Sequence, residues 1–389
     1  HIRAQVSYTD IVLTVRRRGT FRTQVAEIGA PGVNAHRIAT VKAFAENLPE
    51  RATVAEVDAM LDEIERTPML YSPWLLVPLI ALACASITFL SNGGWRELAA
   101  VVPASAIAYA LHRYFSGLKL NHLAVVATSA ATAAGLYLLF ANLLTVILGS
   151  PSPRLAAGLI CAPIFLIPGF PLVTAGLDLT RIDLMAGIPR LTYAGMVLLA
   201  ITIGAWVVTT VSGASPDPVP SLDGPPVLLW LGIIAASFFA AFGWALMFNT
   251  PLWMAVASGV IAVLANVPRV LMLDAGAKPH VATFVGAFIV GLLCALAGWL
   301  FNMEKIIMTV PTLLVFIPGS AALRTLLYFD QADVTRALEN GVTTVLGVIA
   351  MVAGLAGARM LTDPEWAFTT NDPPGTALHL FGRIFRRPS

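Results

Sequence analysis

Long apolar stretches separated by short polar ones run from Tyr71 almost to the C-terminus, whereas the first 70 residues are mixed in character. About 20 apolar residues in a helix are enough to cross a bilayer core of about 30 Å. We count ten such stretches, of which the second and seventh are the weakest. They cover residues 71–90, 95–115, 122–148, 155–178, 190–212, 226–248, 252–273, 280–302, 306–329 and 342–361. The pattern predicts an all-α polytopic membrane protein with about ten transmembrane helices.

The first 70 residues predict a small cytoplasmic α+β unit. A β-branched run over residues 4–15, a turn and an apolar return run to residue 28 predict two strands. Residues 35–48 and 54–65 have the periodicity of amphipathic helices. Thr53 and Glu56 have the spacing of a capping box at the start of the second helix.

The segment 213–225 divides the apolar stretches five and five. It is rich in proline and serine and contains no lysine or arginine, which is typical of a linker. We therefore predict a first five-helix repeat over residues 71–212 and a second over residues 226–361. Residues 362–389 form a C-terminal tail.

The two halves repeat one arrangement around their fourth spans. Each of these spans contains Ile-Pro-Gly near its middle, at residues 167–169 and 317–319. An aspartate follows each glycine by 14 residues, namely Asp183 and Asp333. Because five spans is an odd number, the second half would enter the membrane from the opposite side. The sequence thus predicts two inverted five-helix repeats, an organisation typical of secondary transporters.

Composition narrows the function classes. Charged residues make up 12% of the chain and the mean hydropathy is +0.79, whereas soluble domains contain roughly 25% charged residues. The net charge of +2 is too small to favour a nucleic-acid partner. The sequence has no GxxxxGK[ST], HExxH or GxSxG motif, and its three cysteines have no metal-ligand spacing. We therefore predict no enzyme, ATP-binding site, cofactor or metal.

The positions of lysine and arginine predict the orientation. With a cytoplasmic N-terminal unit, the inside loops carry Arg113, Lys119, Arg181, Arg190, Lys305 and the C-terminal arginines. Arg96, Arg154, Arg269, Lys278 and Arg336 then fall outside, and the linker carries neither residue type. The difference favours two cytoplasmic termini and an extracytoplasmic linker.

Three segments resemble a known family. They are APGVNAHRIA at residues 30–39, IPGFPLVTAGLDLTRIDLMAGIPRLTYA at 167–194 and VPTLLVFIPGSAALRTLLYF at 310–329. The first two resemble the threonine/serine exporter family (ThrE), and the third resembles its smaller companion domain, which is a separate polypeptide in some bacteria. Relative to family members, the chain is short at its N-terminus.

The resemblance implies an exporter of L-threonine and L-serine in the bacterial inner membrane, driven by the proton motive force. A homo-oligomer is compatible with it. A channel or carrier for another small solute such as a dicarboxylate, or a regulatory membrane protein, remains the alternative.

Proline and glycine in the middle of a membrane helix predict a break. They cost about 3 and 1 kcal/mol in a helix interior, and in lipid the freed backbone groups need protein, water or a ligand. The new helix N-terminus can hold a carboxylate and the freed carbonyls an ammonium group. A single Pro-Gly pair could instead be an ordinary kink. The candidate substrate-binding residues are Pro168, Gly169, Phe170, Thr174, Pro318, Gly319, Ser320 and Arg324.

Within this set, we expect the new helices to start near Phe170 and Ser320, with the Ser320 hydroxyl as a cap. Arg324 could bind the substrate carboxylate or extend to the interface. A further break is predicted at Asn266-Val267-Pro268-Arg269, near the end of the seventh span, where these residues could line the transport path. Structural packing is the alternative role.

Ionisable residues near the spans are candidates for proton coupling or gating, because charges are costly in a bilayer. They are Asp178, Asp183, Asp333, His122 and His280. Asp178 could instead form an interfacial ion pair with Arg181. The two histidines are at predicted span ends, where a solvated or capping role is the alternative.

Overall fold

The computed structural model describes residues 2–6, 10–17, 20–27, 32–48, 52–215, 217, 219–301, 303–363 and 366. The chain starts with a three-stranded antiparallel sheet in the order β1-β2-β3, formed by β1 Ile2–Val6, β2 Asp10–Arg17 and β3 Thr20–Glu27. The single strand predicted for residues 4–15 is wrong, because β1 and β2 share this run and pair with each other. Most of the C-terminal tail lies outside the described residues.

Two helices follow the sheet, α1 Ala35–Glu46 and α2 Val54–Arg66. The capping box of α2 is confirmed: the Glu56 amide donates to Thr53 Oγ1 at 3.3 Å, and the Thr53 amide donates to Glu56 Oε2 at 2.8 Å. The apolar stripe of α2 nevertheless stays exposed, with Val54 79% accessible.

Twelve helices make up the membrane region within the described residues. They are α3 Pro73–Leu90, α4 Trp95–Ser116, α5 His122–Leu148, α6 Leu155–Cys161, α7 Gly169–Thr180, α8 Leu184–Ser212, α9 Pro226–Met247, α10 Leu252–Asp274, α11 Pro279–Phe301, α12 Lys305–Leu313, α13 Gly319–Asp330 and α14 Val334–Thr362. A 3-10 turn extends α6 at Ile164–Leu166, and another extends α12 at Leu314–Phe316.

The structure confirms a multi-pass, all-α membrane region. Seven of the described helices are long and apolar enough to cross a bilayer, and two bent pairs, α6 with α7 and α12 with α13, raise the number to nine. The remaining predicted span, the second along the chain, is α4, which has 22 residues and packs between α3 and α5. It is less apolar because Arg96, Glu97 and Arg113 are near its ends.

The fifth spans begin earlier than predicted. Helices α8 and α14 start at Leu184 and Val334 rather than at residues 190 and 342. Their first turns are polar enough to end an apolar window, but an aspartate caps each helix. The break predicted at residues 266–269 is also wrong, because α10 continues through Pro268 to Asp274.

The same series of elements occurs twice, as α3–α8 and as α9–α14. Helices α7 and α13 both have 12 residues, and α8 and α14 both have 29. Left-handed backbone at a non-glycine residue recurs at matching positions: Asn92 and Asn249 end α3 and α9, and Ile182 and Ala332 precede α8 and α14. Such residues are uncommon, so the agreement reflects a shared backbone path.

Close helix packing repeats as well. A Cβ on Gly204 of α8 would lie 2.2 Å from the Ala127 carbonyl oxygen of α5, and one on Gly354 of α14 would lie 2.3 Å from the Phe284 carbonyl oxygen of α11. Only glycine permits this backbone approach. In both halves the fifth span thus packs on the third in the same way.

Contacts assign the helix ends to two opposite faces. At the N-terminal face, α1 reaches the membrane region: the Ala35 amide donates to the Phe248 carbonyl at 2.8 Å, and Lys42 Nζ is 2.6 Å from Glu304 Oε2. At the linker face, Tyr328 Oη donates to Asp217 Oδ1 at 2.9 Å. Helix α7 runs from the interior to the N-terminal face, and α13 runs from the interior to the linker face.

The cores of the two halves interlock. The larger buried cluster is built mainly from α3–α8, but it includes Trp244 and Leu314 of the second half. A second cluster, built mainly from α10–α14, includes Val173 and Leu177 of α7. Helices α3 and α9 form the most extensive contact between halves, so the breaks lie inside one continuous structure.

Candidate functional site

Both predicted breaks are present, and they have nearly the same geometry. Pro168 has φ −78° and ψ 60°, and Pro318 has φ −75° and ψ 50°. The amide of the following glycine donates two residues back, over 2.8 Å from Gly169 to Ile167 and 2.7 Å from Gly319 to Ile317. These are inverse γ-turns centred on proline. The chain bends by 73° at the first turn and by 48° at the second.

Each break contacts the element that leads into the other. A Cβ on Gly169 would lie 1.8 Å from Leu314 Cδ2, and one on Gly319 would lie 2.6 Å from Ile167 Cδ1. The two γ-turns therefore meet in the interior, between the halves of the chain. The predicted site residues at both breaks are brought together, as an internal site formed by two broken helices requires.

The helices after the breaks begin without a side-chain cap. Their N-cap residues are Pro168 and Pro318, so no N-cap side chain accepts a hydrogen bond from the first amides of the helix. The predicted Ser320 cap is wrong, because the helix starts one residue earlier at Gly319. The first amides of a helix have no intrahelical acceptor, so α13 presents the amides of Ser320 and Ala321. Helix α7 presents only the Phe170 amide because Pro171 has no amide hydrogen.

Other predicted residues of the first break have protein partners. The Phe170 ring packs edge-on against Phe248 with the ring centroids 6.0 Å apart. Thr174 Oγ1 donates to the Phe170 carbonyl at 2.8 Å. This bond places the threonine hydroxyl on the backbone of its own helix, on the first turns of α7.

A cavity of about 260 Å³ lies on the linker side of the second break. Its wall is mostly apolar, with Ile164 and Ile167 from the first half and Gly319 from the second. The polar groups in the wall are threonine hydroxyls: Thr202, Thr325 and Thr344. The volume suits a small organic molecule, and the wall combines α6, α8, α13 and α14.

The repeat-related region on the other side of the breaks is closed. A Cβ on Gly176 of α7 would lie 2.3 Å from Val352 Cγ2 of α14. Ala194, which corresponds to the cavity residue Thr344 in the second repeat, is fully buried. The two halves therefore pack differently at these matching positions: Thr344 lines a cavity, whereas Ala194 is buried.

Asp178 forms an ion pair inside the first half. Its Oδ2 is 2.6 Å from Nη1 of Arg190 on α8, and both side chains are about one-quarter exposed. The alternative pairing with Arg181 is wrong in this structure, because the Arg181 guanidinium lies over the Trp366 ring at 5.3 Å. Asp178 is thus near the N-terminal face, at the end of the path from the first break.

Asp183 and Asp333 have equivalent structural roles. Asp183 accepts a hydrogen bond from the Ala186 amide at 3.2 Å, and Asp333 accepts one from the Arg336 amide at 3.1 Å. Each caps the N-terminus of the fifth span of its half. Capping explains why both aspartates follow the breaks at one spacing; their role in proton coupling stays a prediction.

Substitution separates the two roles. Asparagine caps a helix about as well as aspartate, whereas alanine costs about 0.5–2 kcal/mol. We expect Asp183→Asn and Asp333→Asn to keep the wild-type melting temperature and transport rate, and the alanine variants to melt earlier. Thermal unfolding and transport by the purified variants measure this. Loss of transport in a normally folded asparagine variant would instead support a role in proton coupling.

The two predicted histidines lie at different positions of their helices. His122 starts α5, and its Nε2 is 2.9 Å from Tyr193 Oη of α8. His280 is the second residue of α11, at the linker face. By the spacing of the repeat, His122 corresponds to Pro279 rather than to His280. The histidines are therefore not a symmetric pair.

Arg324 lies on α13 close to the linker face. It interacts electrostatically with Tyr328 and Asp217. Asp217 also pairs with Arg336 at 2.9 Å, and hydrogen bonds from Ser215 and Tyr328 hold the pKa of its carboxyl below its usual range. This polar group connects the linker to α13 and α14.

Two basic residues that were not among the candidate substrate-binding residues lie beside the breaks. Arg269 of α10 lies over the Phe316 ring at 5.6 Å, and Phe316 is two residues before Pro318. At the corresponding position of α4, the His112 ring meets Phe165 edge-on at 6.1 Å, and Phe165 is three residues before Pro168. Arg269 had been assigned to an outside loop. Arg269 and His112 are 157 positions apart, which is the spacing of the repeat between α4 and α10, and only this spacing shows that the two residues correspond.

Within the described part of the chain, no group of three or more His, Cys, Asp or Glu residues could hold a metal ion. The site instead consists of helix termini, threonine hydroxyls, an ion pair and two basic side chains next to aromatic rings.

Two broken helices that meet inside a bundle of membrane-length helices are characteristic of membrane transporters, and comparisons with known proteins place the chain in this class rather than among enzymes. A family model of threonine/serine exporters matches residues 1–212. A second, described as "Threonine/Serine exporter, ThrE", matches residues 233–360. The chain belongs to the threonine/serine exporter family, and the two matches confirm that it joins both modules.

Two relatives have a different name. The chain is 26% identical over 216 residues to the "Probable succinate transporter subunit YjjP" of Klebsiella aerogenes, and 26% identical over 215 residues to the protein of the same name from Escherichia coli K12. In both cases the match covers 54% of this chain and 80% of the relative. No solved structure gives a significant match.

Proposed function

We propose that the protein is a secondary active exporter of L-threonine and L-serine, coupled to the proton motive force. The observation that carries this proposal is the pair of uncapped helix breaks that contact each other between the two halves. A zwitterionic amino acid needs donors for its carboxylate and acceptors for its ammonium group. Uncapped amides and unwound carbonyls provide both at one place.

We further propose that the halves form an inverted repeat that works by alternating access. The opposite directions of α7 and α13 support this, since one runs to the N-terminal face and the other to the linker face. The cavity on the linker side and the closed packing around Gly176 correspond to one of two states. In the other state the bends of 73° and 48° would exchange between the halves, and the opening would move to the N-terminal face.

The N-terminal face is the cytoplasmic one in this proposal. The N-terminal unit, which contacts this face through Lys42, is rich in lysine and arginine, whereas the linker between α8 and α9 has neither. Helix α1 and the end of α14 are at the same face, because Lys42 pairs with Glu304 and the neighbouring Lys305 pairs with Asp363. The linker would then be on the periplasmic side of an inner membrane.

Proton coupling can supply the required energy. One charge that crosses a potential of 100 mV gains about 2.3 kcal/mol, which supports roughly a fifty-fold gradient. Asp178 and His122 are the candidates for proton transfer near the N-terminal face, because each has a partner on α8: Arg190 for Asp178 and Tyr193 for His122. His280 is the candidate near the linker face.

A small dicarboxylate is the second candidate substrate. It is favoured by the name of the two relatives, which are described as probable succinate transporter subunits. Succinate and L-threonine share a carboxylate and differ in the group at the other end. A site at the second break could therefore accept either, and the threonine hydroxyls of the cavity wall would contact the remaining polar group.

Transport in proteoliposomes tests the proposal. We expect the purified full chain to move labelled L-threonine or L-serine against its gradient when a proton gradient is imposed, and a proton ionophore to abolish the accumulation. Competition with unlabelled succinate, L-alanine and L-serine ranks the substrates. Accumulation that persists with the ionophore would contradict proton coupling. If succinate flux saturates and no threonine flux is seen, a small dicarboxylate is the substrate instead of L-threonine.

A further inference from the structure

We infer that Arg269, with Asn266, forms a binding site for a carboxylate group of the transported solute. This inference rests on the proposed function, because it assigns one group of the substrate to one place beside the second break. The link between Arg269 and the break is the Phe316 ring, which lies two residues before Pro318.

Arg269 belongs to a short polar chain between α9 and α10. Its Nη1 donates to Asn266 Oδ1 at 3.2 Å, and Asn266 Nδ2 donates to Ser237 Oγ at 2.8 Å. Asn266 and Ser237 are fully buried, whereas Arg269 stays partly exposed. The chain fixes the direction of the guanidinium while leaving a route to it. Such preorganisation reduces the cost of binding.

The charge of Arg269 has no counter-ion among the described residues. No carboxylate oxygen lies within 4.0 Å of it there, and its Nε is buried without a hydrogen-bond partner. Two other arginines near helix ends do have such a partner: Arg190 pairs with Asp178, and Arg336 pairs with Asp217. A buried guanidinium nitrogen without a hydrogen-bond partner is unfavourable. A guanidinium and a carboxylate match in a bidentate arrangement, so a carboxylate ligand would remove this cost.

The Phe316 ring occupies the place next to the guanidinium in this structure. The distance of 5.6 Å from the guanidinium carbon to the ring centroid is within range of a cation–π contact. The ring face attracts the cation but accepts no strong hydrogen bonds. Because Phe316 ends the turn before Pro318, a change of the second bend would move the ring. We therefore assign Phe316 the role of a gate that a carboxylate replaces.

The first repeat has a basic residue at the matching position. His112 Nδ1 is 3.1 Å from Ser129 Oγ, and Ser129 corresponds to Gly286, which packs on Arg269. Both halves thus present a nitrogen base from the second span to an aromatic ring just before the break. The fixed positive charge is in the half whose break presents two free amides rather than one. A fixed positive charge and free helix amides each favour an anion, and both belong to this half.

Substitution of Arg269 tests the inference through ligand preference. We expect wild-type protein to bind L-threonine more tightly than L-threoninamide, or succinate more tightly than succinamide. Arg269→Gln should weaken binding of the acid by about 10-fold to 100-fold and leave the amide nearly unchanged, so that the preference disappears. Arg269→Lys should retain part of it. Calorimetric binding to the full chain in detergent measures these values, and thermal unfolding checks that each variant is folded.

Arg113→Gln is the matched control, since Arg113 is exposed at the end of α4. We expect wild-type preference in this variant. A folded Arg269→Gln protein that keeps the acid-to-amide preference would overturn the inference, while transport by the wild-type protein would leave the proposed function standing. Failure of wild-type protein to transport or bind any of the four compounds would instead contradict the proposed function. If Arg269→Gln does not fold, Phe316→Leu provides the test. Tighter binding of the acid by this variant than by wild-type protein supports the gate, and unchanged acid and amide affinities contradict the site.

Discussion

Replacement of Gly169 by Leu is expected to reduce transport to less than about a tenth of the wild-type rate. A Cβ at this position would lie 1.8 Å from Leu314 Cδ2, and excess volume in a packed interior costs about 1–3 kcal/mol. The longer side chain would hold the two breaks apart and fill the space a substrate backbone needs. Gly319→Leu should also reduce transport, but less, because its contact is the end of Ile167 at 2.6 Å.

Gly195→Leu is the control for this experiment. Gly195 is on α8, and a Cβ there would have nothing within 4 Å, so we expect wild-type transport. Membrane fraction and monodispersity of the purified variants show whether insertion is intact. Wild-type flux in both Gly169→Leu and Gly319→Leu would mean that the breaks are not the substrate site.

Access to the cavity is the second large effect that we expect. Thr344 lines the cavity on the linker side, whereas its repeat counterpart Ala194 is fully buried. A cysteine at position 344 should react with a membrane-impermeant thiol reagent added from the linker face, and bound substrate should slow the reaction at least about tenfold. A cysteine at position 194 should react from the N-terminal face only, and only in the state that the substrate and proton gradient populate.

The three native cysteines, Cys84, Cys161 and Cys294, are buried, and a background with alanine at all three removes them as reactive groups. The control is a cysteine at position 149, in the exposed αL residue after α5 on the linker face, which should react whether or not substrate is bound. If positions 194 and 344 react from the same face in every condition, the halves do not exchange conformations as proposed.

Much of the fold could be predicted because lipid imposes a strong pattern. A membrane helix must be apolar over about 20 residues, so the ten stretches correspond closely to helices or bent pairs. The helix starts were wrong where the first turns are polar: α8 and α14 begin before their apolar windows. The caps Asp183 and Asp333 were visible in the sequence, but a cap and a proton site require the same residue type.

The candidate site was predictable at the breaks and not beyond them. Proline followed by glycine in an apolar span has few structural explanations, so Pro168 and Pro318 identified the breaks directly. Arg269 and His112 are different, because a basic residue near the end of a span also suits an interfacial position. Their role depends on the Phe316 and Phe165 rings, which come from distant parts of the sequence. Only three-dimensional packing brings each base to a break.

The crossed contacts at the breaks also determine what each half lacks alone. Leu314 of the second half occupies the space beside Gly169, and Ile167 of the first half occupies the space beside Gly319. Either module by itself would have an unfilled hollow at its own γ-turn and an incomplete pathway. If the two modules were produced as separate chains, transport would require both of them in equal numbers. The covalent linker guarantees this one-to-one stoichiometry at synthesis.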